Sequence, residues 1–216
     1  MTPRPSGWAL RAFAAFLLLL SRGARADPPP SVALAGGLGY AFPAGGLERG
    51  SQLSDITLGL VDISVDGAYR LHQLWSAGAA LHYGASIPKL CASGSDCISS
   101  IGRDVRVGAL GRWHPGRWRS LEPDVDLEFG YEWLATKLVD NDAVSRRGAR
   151  GFAASLAAHG QFALWRHVSI GPVLAVSGGI FSRASLDAPG VATARNTDGS
   201  LVHLWTYVGF RTCASW

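Results

Sequence analysis

From Val61 onward, apolar and polar residues alternate with a period of two, and only extended strands with different surroundings on their two faces satisfy that period. In residues 61–71 the odd positions read Val61, Ile63, Val65, Gly67, Tyr69 and Leu71, while Asp62, Ser64, Asp66 and Arg70 fall between them. The split recurs at residues 75–87, 105–113, 121–133, 152–164, 168–180 and 202–210, where Leu127, Phe129 and Tyr131, for example, oppose Asp126, Glu128 and Glu132. With a weaker first strand at residues 32–42, the count is eight.

The connections alternate too. Residues 71–74, 114–119 and 166–167 leave room only for short turns. The connections at 43–54, 88–102, 139–150 and 183–200 are long and rich in Gly, Ser, Asp and Pro. Short turns on one side and long loops on the other predict an all-β fold: an eight-stranded antiparallel up-and-down transmembrane β-barrel. Alternation alone does not say which face is inside, so a lipocalin-like ligand carrier or a β-sandwich stays open at this point. Three features favour lipid outside. The polar face carries small residues with both acids and bases, turn lengths are asymmetric, and Trp75, Trp113, Trp118, Trp165 and Trp216 sit where an interfacial girdle would lie.

The first residues have a different logic. Arg4 and Arg11 bound a positive segment, residues 12–20 are apolar, and Ala24-Arg25-Ala26 matches a signal-peptidase site. The expected organisation is therefore a signal peptide at 1–26 and a barrel domain at 27–216. Nine apolar residues are too few to cross a bilayer as a helix, which takes roughly 20. Four of the 20 Lys and Arg (Arg4, Arg11, Arg22 and Arg25) precede the site, so the remaining bases balance the 16 acids. A neutral mature chain has no net attraction for nucleic acid.

The signal peptide, the eight alternating strands, the turn asymmetry and a final segment 201–216 ending in Trp216 resemble the small outer-membrane barrels of the OmpA, OmpX and OmpW type. The resemblance implies that the last strand, with Phe210 and Trp216, is the assembly signal read by the barrel-insertion machinery. It also implies a non-enzymatic role in envelope integrity or surface interaction through the outer loops. The alternatives are a narrow porin-like passage for small or apolar solutes and the secreted carrier. Expected partners are outer-membrane lipid and lipopolysaccharide, with the protein a monomer.

Cys91 and Cys97 lie in a Gly/Ser-rich loop of an exported chain and are expected to close it as a disulfide. If the fourth and fifth strands pair so that residue numbers sum to 234, Arg112 meets Glu122 and Arg106 meets Glu128, forming ion pairs inside the barrel. Asp124, Asp126 and Glu132 are the lumen acids that a cation-preferring interior would use. Arg146, Arg147 and Arg150 form a basic cluster suited to lipopolysaccharide phosphates. His167-Val168-Ser169 resembles the His-x-Ser piece of lipid A deacylases, but Ile170 stands where Asn is expected and the motif falls at a short turn. No catalytic residue, cofactor or metal site is expected; the six histidines have no ligand spacing.

Overall fold

The computed structural model describes residues 32–48, 51–88, 99–140, 143–188 and 191–216. Eight long strands form one closed antiparallel ring: β1 (Val32–Glu48), β2 (Thr57–His72), β3 (Trp75–Pro88), β4 (Ser99–Trp113), β5 (Leu121–Asp140), β6 (Ala143–Trp165), β7 (Val168–Ala188) and β8 (Val191–Ser215). Each strand pairs with its sequence neighbours, and β1 closes on β8 from Ala33–Ser215 to Gly45–His203. A two-residue strand, Ser51–Gln52, and the four-residue helix α1 (Leu53–Ile56) lie between β1 and β2. The signal-peptide region and both Cys91 and Cys97 lie outside the described residues.

Exposure settles which face is inside. The apolar alternates point outward: Leu38 is 58% exposed, Phe129 60% and Phe152 72%, whereas Asp66, Asp104, Arg112 and Glu132 are buried. A soluble carrier inverts that arrangement, so the lipocalin-like alternative is overturned. The outward band is bounded by aromatics. Trp75 and Trp113 pack at 6.4 Å beside the short turns, where Trp118, Trp165 and Trp216 are also exposed. Eight residues further along β5, Tyr131 packs edge-on against Trp133 at 4.7 Å and Phe152 at 5.4 Å. Eight to ten tilted residues match the ~25 Å apolar thickness of an outer membrane.

Two expectations need correction. The third and fourth connections are β-ribbon rather than loop. β5 and β6 stay paired out to Asp140–Ala143, and β7 and β8 out to Ala188–Val191. At about 3.3 Å per residue, the 23 residues of β6 run roughly 75 Å, far more than a membrane needs, so the strands continue as two hairpins beyond it. The β4–β5 register is also different. Arg112 faces Asp126 and Arg106 faces Glu132, a sum of 238, because the turn is wider than expected. Trp118 and Leu121 exchange two backbone hydrogen bonds, with Gly116 (φ 116°) and Arg119 (φ 57°) in the left-handed region, and residues 122–124 pair with β6 and not with β4. Glu122 is left near Arg70, 4.0 Å away at the rim.

Candidate functional site: a polar, plugged lumen

Side chains fill the interior of a barrel this narrow, and many of the inward ones here are charged or polar. Among the described residues, seven carboxylates are buried there: Asp62, Asp66, Asp104, Asp124, Asp126, Glu128 and Glu132. Three guanidinium groups, Arg106, Arg112 and Arg211, face them, and four imidazoles supply most of the remaining bonds. Buried charges are tolerated only when paired in this way.

Arg112 anchors the short-turn end. Its Nε and Nη2 donate to the two oxygens of Asp126 at 2.7 and 2.9 Å, and Nη2 also reaches Asp66 at 2.8 Å. Arg211 completes the clamp on Asp66 with Nη2 at 2.6 Å from Oδ1. His159 bonds Asp126 at 3.0 Å. Arg106 lies 3.4 Å from Glu128, four residues along β5 from its register partner Glu132, and His82 bridges Glu128 at 2.9 Å and Asp62 at 3.3 Å.

At the same end, Ser76 lies 2.8 Å from His114 Nε2, and His114 Nδ1 lies 2.6 Å from Asp124. Gln161 donates to the other Asp124 oxygen at 2.6 Å and accepts from Ser169 at 2.5 Å. The acid–imidazole–hydroxyl order is that of a hydrolase relay. Yet Ser76 is buried in a cross-strand row between Arg70 and Arg112, and the central cavity is lined by other residues. The His167–Ser169 pair is not a dyad: His167 Nδ1 bonds the Ser215 carbonyl while Ser169 is held by Gln161.

The outer end is closed by a different chemistry. Leu53 of α1 packs into the mouth against Ala41, Leu60, Leu134, Ala149, Phe181 and Trp205. Beneath this plug, His203 bonds Glu132 at 2.6 Å, Trp205 donates to the same carboxylate at 3.3 Å, and Phe181 stacks on His203 at 4.0 Å. Gly179 permits the approach, since a Cβ there would fall 2.4 Å from the imidazole. Between the ends lies a cavity of about 70 Å³, enough for a few water molecules. Asp104 Oδ1, His159 Nδ1, Tyr207 Oη and Arg211 Nη1 belong to residues on its wall and have no hydrogen-bond partner among the described residues.

Asp124, Asp126 and Glu132 thus all lie in the lumen, each bonded to a neighbouring side chain. Sequence reasoning missed the histidines as partners, because facing residues on separate strands carry no local spacing. The basic cluster is split: Arg146 and Arg150 point outward, whereas Arg147 occupies an inward position. Phe210 and Trp216 are outward and exposed, and Cys213 is buried as a free thiol.

No protein-family model and no curated protein sequence matches the chain. Solved structures do match. A major outer membrane protein from Thermus thermophilus superposes with a TM-score of 0.56 at 10% identity, covering 85% of this chain and 98% of that one. Neisserial surface protein A gives 0.52 at 8% identity over 88% and 100% of the two chains. OprG from Pseudomonas aeruginosa gives 0.51 at 13% identity over 90% and 100%. The fold, with its lipid-facing band, is that of a bacterial outer-membrane β-barrel protein.

Proposed function

We propose that this protein serves the cell envelope as a closed, non-catalytic barrel that acts through its outer hairpins. The observation that carries this reading is the double closure of the lumen: the Arg112 cluster at one end and the Leu53–Phe181–Trp205 plug at the other. A solute would have to break charge-assisted hydrogen bonds in a confined interior to pass, and the cavity between the plugs holds only water-sized occupants. The barrel works as a monomer. Its outward Phe210, in the closing strand, and Trp216, just after it, are the features offered to the insertion machinery.

Planar-bilayer recording of the refolded protein tests this reading. No steady conductance is expected in either potassium or chloride gradients. A steady, cation-selective current would overturn it in favour of the narrow passage, with the lumen acids as the selectivity element.

A further inference from the structure

The register brings together cations that are scattered in the sequence. Arg150 of β6 pairs with Trp133 of β5 on one side and Arg183 of β7 on the other, so all three share one outward row. One outward step further along lie Ala135, paired with Arg103 of β4, and Gly148. The next step holds Lys137 and Arg146, with Asp187 beyond. Arg183 would face the lumen if the alternation from Phe181 continued. A bulge at Ser182, whose hydroxyl bonds the Arg150 carbonyl, turns it outward instead. Arg103, Lys137, Arg146, Arg150 and Arg183 are all exposed, and none makes an ion pair with a described acid.

This patch begins at the aromatic belt of Tyr131, Trp133 and Phe152. Its height and charge fix the occupant. A group that meets it must be anionic and must be held at the level of the outer lipid headgroups, while its apolar part lies along the outward band. We infer that the outward face of β4–β7 is a binding site for the phosphate groups of an outer-leaflet glycolipid, lipid A. Arginine forks suit this chemistry because they bind phosphate oxygens in pairs. The belt aromatics and Phe152 would lie against the acyl chains. The inference rests on the outer-membrane placement of the barrel, and it replaces Arg147 of the sequence-based cluster with Arg103, Lys137 and Arg183.

The test is binding of bisphosphorylated lipid A to the folded barrel in detergent, followed by native mass spectrometry. The Arg103→Gln/Arg150→Gln/Arg183→Gln variant is expected to bind at least tenfold more weakly, and the single Arg150→Gln and Arg183→Gln variants measurably so. Arg119→Gln/Arg166→Gln, at the short-turn end, is expected to bind like the wild type. Dephosphorylated lipid A is expected to bind the wild type weakly, and inorganic phosphate alone not to compete at equal concentration. Unchanged affinity in the three Gln variants, equal affinity for dephosphorylated lipid A, or full competition by inorganic phosphate would each overturn the inference. Each protein is first checked for a heat-dependent mobility shift in SDS. A wild type lacking that shift would overturn the barrel reading itself, a result distinct from an intact barrel indifferent to phosphate.

Discussion

Arg112 is the residue on which most of the short-turn plug depends, since its guanidinium serves carboxylates from β2 and β5 at once. Among the described residues, Arg112→Ala leaves Asp66 with Arg211 and Asp126 with His159 as the remaining side-chain partners. Removing one partner of a buried ion pair costs about 3–5 kcal/mol. Urea unfolding from lipid vesicles should show that loss, and Asp126→Asn in the same chain should recover part of it. A loss below about 1 kcal/mol would mean that water, not Arg112, balances those acids. Ser76 makes a second case. The bonds to His114 and Asp124 read as a strut that seals the barrel, so a fluorophosphonate probe should leave Ser76 unmodified in the folded protein. A covalent adduct there, lost in Ser76→Ala, would instead make the relay catalytic.

At the scale of the element, alternation was enough to sort the residues of each strand into two faces, because period two repeats along the strands. It was not enough to read where two strands meet. The β4–β5 register depends on the small turn closed by Trp118 and Leu121, and nothing in the alternation of either strand reports a shift of four residues. Arg106 and Glu128 approach despite the shift because Gly130, which lies between Glu128 and Glu132 on that face, has no side chain and the two long side chains reach across it. The outer hairpins were obscured for another reason. Residues 139–150 and 183–200 are rich in Gly, Ser, Arg and Asp, a loop composition, but 139–140 pair with 143–144, 145–150 with 133–138, and 183–188 with 191–196, because they extend strands already anchored in the ring. The barrel should therefore not need them. Replacing residues 138–145 by a two-residue Asn-Gly turn is expected to leave the heat-dependent mobility shift intact. Its loss would place that ribbon in the folding core.

For the whole molecule, the decisive physical property is that the outside is apolar within a band while the charges are buried inside, beneath an apolar outer plug. A soluble barrel has no depth dependence on its surface, whereas a membrane barrel does. Ala79 and Ala109 are outward, exposed and paired with each other halfway between Trp75–Trp113 and Tyr83–Val105, while Leu71, 67% exposed, sits at the rim. An arginine on the lipid face costs about 2–4 kcal/mol at the bilayer midplane and about 0–1 kcal/mol near the interface. Ala79→Arg and Ala109→Arg should therefore destabilise folding into vesicles by the larger amount and Leu71→Arg by the smaller. The same three variants in detergent micelles should differ less, since a micelle deforms around the charge more readily than a bilayer. Equal costs at the two depths in vesicles would remove the membrane from the picture, because only a lipid slab of fixed thickness distinguishes positions that the barrel exposes alike.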